Sequence, residues 1–193
     1  MESPPAAGPK QAPAVAPGNP PAPRRRFRPV LTIGVAAAVT VAVALALIVL
    51  SQPSAPTVKN FSLAELGHAG HRVSLSQYAG RPVIVNFFAS WCAPCQRETP
   101  LLASFYRDHH GKVAVIGVDS EDQNGAALKF LSAKGVTYPV GADPFPGAVS
   151  ASYGVNGLPQ TFLLNSRHQI VRHISGPVSL AELNAWAASS SGG

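Results

Sequence analysis

The chain has 193 residues, 46% hydrophobic and 12% charged, with a formal net charge of +6. From Thr57 onward ten Lys+Arg face eight Asp+Glu, so the first 56 residues carry +4 of that charge and the basic balance gives no support to a nucleic-acid-binding face. Two cysteines leave no separate structural disulfide to staple the fold.

Residues 1–29 open the chain. Met1 to Pro23 hold eight prolines and almost no charge, too little apolar area to offset ordering, so a disordered, partly polyproline II tail is expected. Arg24, Arg25, Arg26 and Arg28 close this segment. Residues 30–50 follow, 21 without a charge or a proline and with only Thr32 and Thr40 polar. At 1.5 Å per residue they span about 31 Å, the thickness of a hydrocarbon core. The arginines on the N-terminal side orient the tail to the cytoplasm. The reading is a single-pass signal-anchor helix in the cell membrane, with everything after Leu50 extracytoplasmic. A cleaved signal peptide fits less well, because its apolar region runs about 7–15 residues and Ser51 to Ala55 make a poor cleavage site. Arg24 to Phe27 give only a weak twin-arginine signal.

Residues 51–56 read as a linker, 57–188 as one domain and 189–193 as a frayed end. Val58 to Leu63 and Arg72 to Leu75 alternate weakly and suggest an N-terminal hairpin-like extension. Arg81 to Ser90 is apolar enough for a buried strand, followed by a helix over 96–109 with Leu101, Leu102 and Phe105 on a shared face. Lys112 to Asp119 is a second strong strand. Asn124 to Lys134 is a helix with Ala127, Phe130 and Leu131 inward, stopped by Gly135. Tyr138 to Val140 is a short strand at best, and Pro146 to Tyr153 a helix ended by Gly154. Thr161 to Leu164 and Ile170 to Ile174 flank a turn and form an antiparallel hairpin. Leu180 to Ala188, capped by Ser179 with Leu183 and Trp186 buried, closes the domain. This order gives a three-layer α/β/α sandwich on a mixed sheet.

The chemistry sits in Trp91-Cys92-Ala93-Pro94-Cys95, where strand turns into helix. A thiol there faces unpaired N–H groups and the positive end of the helix dipole, which favours the reactive thiolate. A zinc site needs two further ligands, and adjacent His109 and His110 point about 100° apart on a helix. A haem attachment site would have His where Gln96 stands. A structural disulfide closing so small a loop stabilises little. Redox exchange remains, with no metal and no cofactor expected. The six histidines are read as solvated.

These residues, with Gly157-Leu158-Pro159-Gln160-Thr161-Phe162, resemble the thioredoxin superfamily. Glu98-Thr99-Pro100, the extra helix and strand between Ser120 and Gly141, and the N-terminal anchor resemble the membrane-anchored TlpA/ResA group of thiol-disulfide oxidoreductases more narrowly. The resemblance implies that exposed Cys92 attacks a substrate disulfide and more buried Cys95 resolves the mixed disulfide, so that the pair is the redox-active disulfide. It makes Pro159 a cis-proline facing the cysteines, with the Leu158 backbone beside Cys92 to pair with an extended substrate chain. Thioredoxins carry a buried Asp where this chain has Asn86, so Glu98 becomes the candidate for proton transfer, its pKa raised by burial. The alternative is a solvated glutamate near a helix N-terminus. Trp91 is read either as packing beside the thiols as a shield or as plain core packing, and Pro94 as removing one N–H donor near the sulfurs, which leans the pair towards reduction.

The resulting expectation is a reductant of exported protein disulfides. The resemblance implies the haem-site cysteines of apocytochrome c as substrate, hence cytochrome c biogenesis, and a CcdA-type membrane partner as electron source. A disulfide-inserting oxidase uses the same residues and stays open. A metallochaperone lacks the wider cysteine spacing and a placed His, and a peroxidase lacks a Thr upstream of the Cys.

Overall fold

The structure, a computed structural model, describes residues 40–47, 57–109 and 111–190. Residues 40–47 are helical, with Val41, Val43, Leu45 and Leu47 exposed. Among the described residues no helix is long and apolar enough to cross a membrane. The tail over 1–29, the linker over 51–56, positions 191–193 and all of the expected 30–50 span except 40–47 lie outside the described residues.

The remaining unit is built on Val83–Phe88 (β3), six apolar or amide side chains in a row, all buried. A strand covered on both faces has no reason to alternate in polarity, which is why this stretch was legible as a run. Ile84 and Phe88 point to one side, Val83, Val85 and Phe87 to the other, the period-2 division of any strand. Ala114–Ser120 (β4) lies parallel to β3, and Val140–Asp143 (β5) parallel to β4. Gln160–Leu164 (β6) runs antiparallel on the other side of β3 and pairs with Ile170–Ser175 (β7). Ser62–Glu65 (β1) and Arg72–Ser74 (β2) form the expected hairpin. The hairpin does not stand before the sheet but joins it: β1 pairs with β5, giving seven strands in the order β2-β1-β5-β4-β3-β6-β7.

Among the strands, two boundaries moved most. The first strand sits at 62–65 rather than 58–63, and β5 begins where the expected 138–140 strand ends. Gly141 explains why β5 was hard to read. A Cβ there would lie 2.7 Å from Leu63 Cβ and 2.8 Å from Val73 Cγ1. The hairpin therefore packs on a backbone without a side chain, and glycine is a residue that strand propensity argues against.

Helices Ala93–Asp108 (α1), Asn124–Ala133 (α2) and Leu180–Ser190 (α4) cover the face bearing Ile84 and Phe88. The other face is covered more thinly, by Ala148–Ser152 (α3), a 3-10 turn over Leu75–Tyr78 and the chain at Val58 and Phe61. The three-layer expectation holds with one light layer. In α1 the buried set is Cys95, Glu98, Thr99, Leu102, Ala103 and Phe105. Leu101, placed on that face from sequence, is 38% exposed, about 100° away from Leu102 on the helical wheel. Pro100 lies inside α1 without ending it; the N–H it lacks is one that Gln96 would have accepted. In α4 Ser179 and Glu182 bond reciprocally, Ser179 N donating to Glu182 Oε2 and Glu182 N to Ser179 Oγ, the capping-box exchange. The helix runs to Ser190, past the 188 boundary, with Ser189 and Ser190 hydroxyls donating to Trp186 O.

Candidate active site

Cys92 caps α1 and is disulfide-bonded to Cys95, with Cα atoms 5.2 Å apart. The helix begins at Ala93, three residues before the expected start, so the pair lies in its first turn. Cys95 N donates to Cys92 Sγ at 3.3 Å, and Gln96 N to Cys92 O at 3.0 Å. Pro94, in that turn, offers no N–H. Cys92 is 5% exposed and Cys95 fully buried. The order matches expectation, but Cys92 is nearly covered rather than exposed. Trp91 is 63% exposed, which removes plain core packing. It lines a cleft of about 440 Å³ together with Leu158. The Leu158–Pro159 bond is cis, with Pro159 buried and Leu158 packed against both core clusters.

Glu98 is 1% exposed, which removes the solvated-glutamate alternative. It lies one turn beyond Cys95, on the inner face of α1. Its Oε1 accepts from Asn86 Nδ2 at 2.9 Å and its Oε2 from Val178 N at 2.9 Å. Burial pushes its pKa up, and the bonds from Val178 and Asn86 oppose that shift only partly. Asn86, on β3, also donates to Thr161 Oγ1 at 3.0 Å across the β3–β6 pairing. The amide thus acts as a fixed donor on the same side of the sheet as α1. Tyr138 is buried nearby with no hydrogen-bond partner for its hydroxyl among the described residues; burial, then the Glu98 charge, raises its pKa.

One carboxylate pair escaped the sequence reading. Asp119 is buried at the end of β4, its Oδ1 unpartnered among the described residues. Its pKa is pushed up to about 8, first by burial and then by the charge and hydrogen bonding of Asp122. Asp122 in turn accepts from Ser90 N at 2.6 Å, two residues before Cys92. Gln96 Nε2 donates to Ser90 O at 2.7 Å, so the loop entering the cysteines is held from both sides. The available signal was the acidic run Asp119 to Asp122 directly after a buried strand, at the strand end where α/β proteins place their sites.

Three histidines are not simply solvated. His173 stacks on Phe162 and faces Gln160 Oε1 at 2.9 Å, His109 stacks on Phe105, and His168 bonds to Tyr78 O. Among the described residues no group of three or more His, Cys, Asp or Glu is placed to hold a metal ion.

A helix-capping cysteine pair and a cis-proline, on a mixed sheet of this order, define a thioredoxin-fold dithiol–disulfide protein. The redoxin family profile matches residues 53–186, and the chain belongs to that family. It is 28% identical over 128 residues to the thiol-disulfide oxidoreductase ResA of Bacillus thuringiensis subsp. konkukian, covering 66% of this chain and 72% of that protein. Sporulation thiol-disulfide oxidoreductase A of Bacillus subtilis is 30% identical over 139 residues, covering 70% of this chain and 81% of that one. The crystal structure of a Chlorobium tepidum protein described as a putative thiol:disulfide interchange protein DsbE superposes with a TM-score of 0.65 at 26% identity, over 74% of this chain and 100% of that chain. The chain is a thiol-disulfide oxidoreductase of the TlpA/ResA-like thioredoxin superfamily.

Proposed function

We propose that the chain reduces disulfides of exported proteins, with Cys92 as nucleophile, Cys95 as resolving thiol and Glu98 as the proton carrier between them and solvent. Thiolate of Cys92 attacks a substrate disulfide, forming one S–S bond and releasing one substrate thiolate. Cys95 passes its proton to Glu98 and attacks Cys92 Sγ, releasing the second. The substrate gains two electrons and the protein is left with its own disulfide, the state of this structure. The observation that carries the reading is Glu98: a carboxylate one helical turn from Cys95, nearly sealed from water, with a pKa raised by burial.

Glu98→Gln is expected to slow resolution of the mixed disulfide in single-turnover kinetics. The structure adds a stability cost. A carboxylate accepts both N–H groups, whereas an amide must present its own NH₂ to either Asn86 Nδ2 or Val178 N. The loss should be about 1–3 kcal/mol in chemical denaturation, with the fold retained. Unchanged resolution would remove the proton role.

The reducing direction is supported by Pro94, which leaves Cys92 Sγ a single first-turn donor, Cys95 N. Fewer donors mean a less stabilised thiolate and a less oxidising disulfide. Equilibrium with glutathione should give a potential well below about −200 mV, whereas a value near about −120 mV, that of a strong oxidant, would make the chain an oxidase.

The anchor over residues 30–50, the extracytoplasmic domain, the haem-site cysteines of apocytochrome c as substrate and a CcdA-type electron donor complete the proposal. They rest on the apolar length, the arginine flank and the resemblance. After reduction of intact cells, a membrane-impermeant maleimide should label Cys92. Labelling only after permeabilisation would reverse the topology.

A further inference from the structure

The cleft beside the disulfide has one charged side chain in its lining, Glu121. Its volume of about 440 Å³ falls in the usual range for ligand sites. Trp91 forms a wall with most of its surface in solvent. Ser120 and Ser150 lie in the lining too, but their hydroxyls are engaged: Ser120 Oγ meets Ser150 Oγ at 2.9 Å, and Ser150 Oγ donates to Asp143 Oδ2 at 2.7 Å. They have little left to offer a ligand.

Glu121 is held in an uncommon way. Its φ is +52°, in the left-handed region that a long side chain rarely occupies. Its N–H donates to Asp143 O at 2.9 Å, and its carboxylate leans over Gly147, where a Cβ would come within 2.9 Å of Oε1. Neither of the two ion pairs among the described residues involves it. Glu121 and Trp91 thus line one cleft, with no ion pair among the described residues engaging the carboxylate, and a carboxylate and an indole both attract a positive side chain.

We propose that this cleft selects substrate segments with a Lys or Arg close to the reacting cysteine, Glu121 and Trp91 together receiving the cation. The inference rests on the proposal above that Cys92 attacks a substrate disulfide, and it adds that the substrate chain flanking that disulfide lies in this cleft, which Trp91, the residue before Cys92, lines; Glu121 is then a specificity residue rather than a member of the dithiol chemistry.

The test uses the reduced full chain and two synthetic peptides with one intramolecular disulfide, identical except for Lys or Glu beside a cysteine. The rate of peptide reduction is followed for each, and the Lys/Glu ratio is taken within each protein so that general changes in thiol reactivity cancel. An exposed charge pair supplies a rate preference of about two- to fivefold for the Lys peptide. The preference should shrink as salt is raised through the range where the Debye length falls below about 8 Å. It should drop towards one in Glu121→Gln and invert in Glu121→Lys. A ratio of one in the parent, or the same ratio in all three proteins, overturns the charge selection and leaves the dithiol chemistry standing. If the parent reduces neither peptide, both readings fall.

Discussion

Replacing Cys95 with serine should freeze the chain as a mixed disulfide between Cys92 and its substrate, with turnover reduced by several orders of magnitude. In the parent the two cysteines are close enough to bond, their Cα atoms 5.2 Å apart, and the peptide N–H of Cys95 already points at Cys92 Sγ. A resolving thiol held in this way acts at an effective concentration far above any soluble thiol; intramolecular values of about 10⁵ M and more are known for well-oriented groups. Millimolar external thiol cannot replace it. Non-reducing electrophoresis and mass spectrometry should show the adduct on Cys92 in Cys95→Ser, and none in Cys92→Ser. Full turnover in either variant would end the two-cysteine mechanism.

Asp119→Asn should remove most of a pH-dependent loss of stability. A carboxyl whose pKa goes from 3.8 to about 8 on folding binds its proton more tightly in the folded chain. It costs nothing below pH 4, where both states are protonated. As pH rises towards 8 the unfolded chain has lost the proton and the folded chain has not, so stability falls by about 1.4 kcal/mol per pH unit. Above 8 the cost levels off. Burial and Asp122, the charge that faces it, are the causes. The parent should lose about 3–5 kcal/mol between pH 4 and pH 9 through this group. Glu98, also raised, adds a loss of the same sign. Urea unfolding of parent and Asp119→Asn at pH 5 and pH 9 isolates the residue by difference. Parallel pH dependences would show that Asp119 ionises normally in the fold.

Much of the architecture was readable because burial on both faces writes itself as an unbroken apolar run. Val83–Phe88 and the strand ending at Asp119 are of that kind, and Ala127, Phe130 and Leu131 share a face in α2 as their spacing requires. The elements misread are those where a neighbour, not the local sequence, sets the conformation. β5 is a strand because β4 and β1 flank it, and its Gly141 exists to admit Leu63 and Val73. Trp91 could equally have been core packing or a lid from sequence, and it lines the cleft with most of its surface exposed. Of the site, the cysteine pair was legible from its spacing at a strand-to-helix switch, while Glu98 became a candidate only through the family resemblance, which expects an acid where Asn86 stands. Asp119 and Asp122 were not, since a strand terminus and a turn residue become a pair only once the left-handed residue at Glu121 folds the chain back. Two histidines stack on Phe105 and Phe162 and a third bonds to Tyr78 O, positions that no spacing rule announces.

Val178 donates its amide to Glu98 across 80 positions of sequence. On the proposed role of Glu98, the segment leading into the last helix becomes a working part of the thiol apparatus and more than a cover for it. A deletion ending before that residue would strand a sealed carboxylate with one donor fewer, and damage at the far end of the polypeptide would surface as a fault in sulfur chemistry.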